Sequence, residues 1–211
     1  MKTHVYIDGF SLYYGALKGT PYKWLDLEKL CRLLLPNFQV THIHYFSAHI
    51  PPRAGDPSRH TRQEIYLRAL RTLPTVTITL GTFVSHPAIM RLVTPPPAGP
   101  YFARVIKNEE KGSDVNLATQ LLVDGFRARY EAAVVITNDS DLTAPLQAVR
   151  GELGLTMGLL DPERNRKRWS RRLVQNVDFL KPIRTGVLEA AQFPSVLQDV
   201  TGTLHKPPAW E

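Results

Sequence analysis

The sequence predicts an α/β fold, an open parallel sheet flanked by helices on both faces. Three observations point there. Runs rich in β-branched and apolar residues alternate with segments whose apolar residues recur at helical spacing, in the order β-α-β-α along 211 residues. One run, "AAVVIT" at 132–137, is apolar without alternation, as a strand covered on both faces must be. The length is enough to bury one substantial core without disulfide or metal staples.

Taken in order, "HVYID" is the first strand, ending at Asp8. An amphipathic helix follows from about Leu25 to Leu35, with Leu27, Leu30, Cys31, Leu34 and Leu35 on one face; Pro36 ends it, since proline offers no N–H. "IHYFSA" is the second strand, and the loop "IPPRAGDPSRH" leads to a helix over Arg59–Leu73 with Ile65, Tyr66, Ala69, Leu70 and Leu73 inward. "TVTITLG" is a third strand, "TPPPAGP" a surface loop and "YFARVIK" a further extended segment. The longest helical pattern runs from Ser113 to about Tyr130, with Val115, Leu117, Ala118, Leu121, Leu122 and Phe126 as its buried residues. "AAVVIT", a helix through "LTAPLQAVRGE" and the strand "LTMGLL" complete the alternation. Residues 184–211 read as a tail, either a short docking helix or a partly disordered end.

Lys and Arg number 26 against 19 Asp and Glu, a formal charge of +7 that favours a polyanionic partner. Arg53, Arg59, Arg62, Arg68 and Arg71 form one basic segment. Arg164, Arg166, Lys167, Arg168, Arg171 and Arg172 form another, with Trp169 among them. Both also read as solvated faces. The single Cys31 cannot form an internal disulfide, which fits a reducing compartment. The amino terminus enters a strand at once, without the apolar core of a signal peptide, and no run of about 18 apolar residues occurs. The expectation is a soluble, cytoplasmic protein with no membrane partner.

In a parallel sheet the carboxyl ends of the strands meet at a crevice where ligands bind. Asp8 ends the first strand, Asp139 and Asp141 follow "AAVVIT", and Asp114 opens the long helix. Four carboxylates in one crevice repel each other unless a cation neutralises them, and hard ions such as Mg²⁺ or Mn²⁺ take carboxylate and phosphate oxygens. Asp8, Asp114, Asp139 and Asp141 are therefore the candidate metal ligands and catalytic residues. Each acid except Asp139 has a local alternative: Asp8-Gly9 is a turn pair, Ser113 or Asp114 an N-cap, and Ser140 or Asp141 the cap of the next helix. One helix start needs one cap, which leaves Asp139 without a capping role. Asn138 also reads as a turn residue, and Lys111 as either a phosphate contact or an exposed lysine. His42 and His44 share a strand face at a spacing that suits a metal, but the sequence suggests no third ligand nearby. Walker-type, GxGxxG, GxSxG and CxxC motifs do not occur, which removes the usual support for nucleotide-cofactor and serine-hydrolase readings.

"YIDGFSLYYG", "KGSDVNLATQLLVDGF" and "VVITNDSDLTAPLQAVR", in that order, resemble the NYN domain of the PIN-like nuclease superfamily in its bacterial LabA-like branch. The likeness continues through "YKWLDLEKL", "YFSA", "RQEIYLRALRTL" and "WSRRLVQNVDFLKPI". It covers roughly residues 4–183, which defines a PIN-like domain over 1–183 and leaves 184–211 as the tail. The resemblance implies a metal-dependent nuclease, usually a ribonuclease, in which Mg²⁺ or Mn²⁺ on Asp8, Asp114, Asp139 and Asp141 activates water against an RNA phosphodiester. Arg59, Arg62, Lys111, Arg166, Lys167 and Arg168 would then hold the RNA backbone, with Trp169 or Tyr13 as stacking partners. Ser11 stands where the family carries Asn and loses the amide's reach; Gln120 stands where many relatives carry Asp. Ser11, Asn138 and Ser140 are expected beside the site. Two alternatives remain: a non-catalytic RNA-binding or regulatory module, and a Mg²⁺-dependent phosphatase of the haloacid dehalogenase type, against which Phe10 counts because that type needs an acid there. Self-association into a homo-oligomer is left open.

Overall fold

Strand β1 (Lys2–Asp8) lies at the centre of a seven-stranded sheet because its Val5, Tyr6 and Ile7 can be covered from both sides. The computed structural model describes residues 1–52 and 55–210, so Arg53 of the first basic segment lies outside the described residues. β2 (Gln39–Ala48), β3 (Val76–Arg91) and β4 (Phe102–Lys111) extend the sheet on one side of β1. β5 (Ala132–Ile136), β6 (Thr156–Asp161) and β7 (Phe179–Pro182) extend it on the other, giving the order β4-β3-β2-β1-β5-β6-β7. The chain builds outward to β4 and then starts again beside β1. The order therefore reverses between β1 and β5, which is where an open α/β sheet leaves a crevice.

The sheet is not parallel throughout, which corrects the expectation at one edge. β3 runs well past "TVTITLG" and pairs antiparallel with β4, from Thr82 opposite Lys111 to Arg91 opposite Phe102. The connection 92–101 contains no helix and is too short for the crossover that parallel strands require. Exposed and partly covered residues alternate along both strands, as expected of a ribbon projecting from the covered sheet.

Helices α1 (Gly9–Leu12), α2 (Leu27–Leu34), α3 (Arg59–Arg71), α4 (Ser113–Phe126), α5 (Thr143–Gln147), α6 (Arg171–Val174) and α7 (Thr185–Ala190) complete the layers. The period of two along the strands sorts side chains into two cores. Val5, Ile7, Val134, Ile136 and Leu160 pack with α2, α3 and α7; Tyr6, Ala133, Val135, Met157 and Leu159 pack with α4, α5 and α6. α4 departs from expectation. Val115 and Phe126 are 68% and 71% exposed, and the buried stripe is Leu117, Leu121 and Asp124, at i, i+4 and i+7.

Beyond residue 183, α7 and a hairpin of β8 (Val196–Asp199) and β9 (Gly202–His205) pack against the α2/α3 layer. Leu188, Ala191, Phe193 and Leu204 are buried, and Arg68 grips the Asp199 carboxylate with two 3.0 Å hydrogen bonds. No helix among the described residues is long and apolar enough to cross a membrane.

Candidate active site

At the reversal point, Asp8 ends β1 with four donors around its carboxylate. Oδ1 accepts from the Phe10 and Ser11 amides at 3.0 Å, and Oδ2 accepts from the Ser11 hydroxyl and, at 3.1 Å, from the Thr137 hydroxyl just past β5. Asp8 thus caps α1 and ties the ends of β1 and β5 together. Gly9 allows this close approach, since a Cβ there would stand 2.7 Å from the Phe46 carbonyl and the Tyr45 ring. Ser11, where the NYN resemblance leads one to expect Asn, is oriented on Asp8 rather than reaching outward.

Asp139 does have a capping role, contrary to expectation. Its Oδ1 accepts from the Asp141 amide at 3.0 Å and starts the tight turn Ser140–Leu142. Neither Ser113 nor Asp114 caps α4: Gly112 at φ +96° holds that position, and Asp114 sits in the first turn. Asp8, Asp114 and Asp139 line one crevice of about 450 Å³, together with Ser11, Glu110 and Arg59. Burial first, then the charges of Asp8, Asp139, Glu110 and Asp141, push the Asp114 carboxyl up to about 6. Asp141 is exposed and does not line the crevice, but its charge reaches Asp114. Glu110 joins the site because β4 is longer than its sequence pattern suggests. Oxygen donors with excess negative charge suit a hard divalent ion.

The remaining candidates lie apart. Ser140 is exposed and accepts the Thr143 hydroxyl through its carbonyl at 2.6 Å. Asn138 is more than a turn residue: its amide donates to the Arg168 carbonyl at 3.0 Å and accepts from the Ser170 amide at 2.8 Å, pinning the basic loop to the end of β5. Arg166, Lys167 and Arg168 do not line the crevice. Arg166 lies over the Trp169 ring at 5.4 Å, and the Trp169 indole donates to the Glu163 carbonyl at 2.8 Å, so Trp169 anchors its own loop. Lys111 pairs with Glu109 at 3.1 Å, and Arg62 pairs with Asp56.

A second cavity, of about 310 Å³, opens beside the crevice and shares Phe10, Tyr14, Ile50 and Arg59 with it. Tyr13, Tyr45 and Tyr66 supply aromatic wall, and Lys18, Lys23 and Arg62 add positive charge. Tyr13 and Tyr14 meet edge to face at 5.2 Å on a π-helical turn, Tyr13–Leu17. Sequence reasoning missed this cavity because α1, β2, α3 and Trp210 near the carboxyl end each contribute only part of it. The adjacent "YY" pair was its one local signal.

No family model matches the chain. In fold it is similar to a protein of unknown function from Vibrio parahaemolyticus, with a TM-score of 0.55 at 14% identity, covering 87% of this chain and 93% of that one. In sequence it is 35% identical to the 6-hydroxy-3-succinoylpyridine 3-monooxygenase HspA of Pseudomonas putida, over all of this chain and 75% of that protein. The protein is therefore an enzyme. The same similarity overturns the nuclease reading, together with its RNA-binding and phosphatase alternatives, because the relative is an oxidoreductase rather than a hydrolase. Strand-end acids and nearby arginines are not specific to phosphodiester chemistry, and fold does not fix function. The chain belongs to the family of the 6-hydroxy-3-succinoylpyridine 3-monooxygenase HspA.

Proposed function

We propose that this protein is a monooxygenase acting on a hydroxylated nitrogen heteroaromatic ring with an anionic side arm, bound in the tyrosine-lined cavity and facing the carboxylate crevice. The carrying observation is the junction of the two spaces through Phe10, Tyr14, Ile50 and Arg59. The relative's substrate, by its name, is a hydroxypyridine bearing a succinoyl chain, hence flat and anionic. Tyrosine faces suit such a ring, and a guanidinium suits a carboxylate in two-point contact. Arg59 reaches both spaces and is assigned to the side arm.

In the reaction one atom of dioxygen bonds to ring carbon 3, the position in the relative's name, the succinoyl group that this carbon carried departs as its aldehyde, and the other oxygen atom leaves as water. Two reduced nicotinamides supply a hydride each and solvent supplies two protons, which balances these changes. Asp8, Asp114 and Asp139, with Asp141 adjoining, would hold a divalent ion of the Mg²⁺ or Mn²⁺ class, which supplies a Lewis acid for an anionic ring oxygen. Burial and the neighbouring acids raise the Asp114 carboxyl to about 6 when no cation is present, a penalty on its charge that a bound divalent ion would offset. Burial pushes the Tyr45 phenol up to about 12, so it stays a hydrogen-bond donor at neutral pH.

Oxygen-electrode measurements with 6-hydroxy-3-succinoylpyridine, reduced nicotinamide and Mn²⁺ or Mg²⁺ test the reading. Dioxygen uptake that depends on the pyridine, with two nicotinamides oxidised per dioxygen, is expected. Absence of pyridine-dependent uptake with any of these combinations rules it out for this substrate class.

A further inference from the structure

On the face of β1 that carries Asp8, but toward the other end of the strand, lie His4 and Tyr6; His44 on β2 is in register with Tyr6. Asp124, on the buried stripe of α4, meets them. His44 Nε2 stands 3.2 Å and His4 Nδ1 3.6 Å from Asp124 Oδ2, and the three atoms lie within 4.8 Å of one another. An ion about 2.1 Å from each of three tetrahedral ligands sets their mutual separations at about 3.4 Å.

Both imidazoles are nine-tenths buried. Among the described residues, His4 Nδ1 and His44 Nε2 have no hydrogen-bond partner of good geometry, although a carboxylate lies beside them. Buried polar atoms are rarely left so. One cation between the rings and Oδ2 satisfies both nitrogens at once. The surroundings are those of a ligand set already held in place. Asp124 accepts from the Tyr6 hydroxyl at 2.8 Å, and from Gln120 and Arg129 at 2.9 Å, while the His44 ring stacks on Tyr6 at 4.9 Å. Such outer contacts orient carboxylate and imidazole ligands. Burial also lowers the pKa of both histidines, to about 4 for His44, which keeps the rings in the neutral form that metals bind.

We propose that His4, His44 and Asp124 form a binding site for a divalent transition-metal ion of the zinc class, which pins α4 to β1 and β2. Two imidazole nitrogens and one carboxylate oxygen select such an ion over Mg²⁺. The site is separate from the crevice, since Asp124 follows Asp114 by ten residues of helix, about 15 Å. None of its three ligands lines either cavity, so its role is structural. This inference does not depend on the monooxygenase reading.

Chelator-stripped full-length protein, re-equilibrated with Zn²⁺ and desalted, is analysed for bound metal. About one ion per chain is expected in the wild type and in Asp139→Asn, with affinity at least roughly tenfold weaker in His4→Gln and His44→Gln. Far-UV circular dichroism confirms that the variants fold. Should either histidine variant fail to fold, titration of the wild type with Co²⁺ replaces it, with intense tetrahedral ligand-field absorption expected. The site is refuted by wild-type protein that retains no zinc and gives no such absorption. It is equally refuted when the amount and affinity of bound zinc survive both histidine changes, whatever Asp139→Asn does.

Discussion

The carboxylate crevice and the tyrosine-lined cavity touch, yet they are built in opposite ways. The crevice is local: Asp8 and Asp139 sit where β1 and β5 end, and each also starts the helical turn that follows. The cavity is assembled from α1, β2 and α3 and from Trp210, near the carboxyl end. One region concentrates negative charge, while the other offers rings and cations. Acids at strand ends specify a place in the fold; the neighbouring cavity specifies what is bound there. The resemblance carried by the first, read without the second, led to phosphodiesters.

Replacing Arg59 tests the border between the two regions and carries the largest expected effect. Arg59→Ala should lower kcat/KM for a carboxylate-bearing pyridine roughly 30- to 150-fold, the loss of a charge-assisted contact of about 2–3 kcal/mol. The amide analogue of the substrate should lose only a few-fold. Equal losses for the two substrates would place the anionic arm elsewhere. A smaller effect is expected inside the crevice. The Asp114 pKa is about 6 when folded against 3.8 for an ordinary aspartate, so the folded state resists its ionisation. That penalty is present above pH 6 and disappears as pH falls through 6 toward 4, because the folded state takes up the proton first. Discounted for its partial exposure, it amounts to about 1 kcal/mol. Asp114→Asn should accordingly raise Tm by ~2–4 °C at pH 8 in the absence of divalent ions and leave it unchanged near pH 4. A Tm lowered at pH 8 would mean that the crowded acids are not repelling one another. The smallest effect belongs to the basic loop, which lies outside both spaces: changing Arg166, Lys167 and Arg168 together to Ala should alter kcat/KM by less than about twofold. A tenfold loss would bring that loop into the site.

The central strands were legible because their patterns are local. "HVYID" and "AAVVIT" announce their own ends, and the reversal of strand order brings those ends together. The β3–β4 ribbon was read short because Pro87 and the alternating exposed residues resemble a loop. Apolar residues on a helix do not declare which of them face inward, so Val115 and Phe126 were assigned to the core they avoid. Asp124 was passed over for the converse reason: an acid on a helix reads as surface until Tyr6, Gln120, Arg129 and two histidines are found around it. The chemistry itself was not legible, because hydrolytic and oxygen-inserting enzymes can share the same acids.

The most direct test follows the oxygen atom. Turnover of 6-hydroxy-3-succinoylpyridine with reduced nicotinamide is run under oxygen-18 dioxygen in ordinary water, then under ordinary dioxygen in oxygen-18 water, and the products are weighed by mass spectrometry. One labelled atom from dioxygen, and none entering the new ring hydroxyl from water, is the expected result. Label arriving from water alone would contradict oxygen insertion from dioxygen.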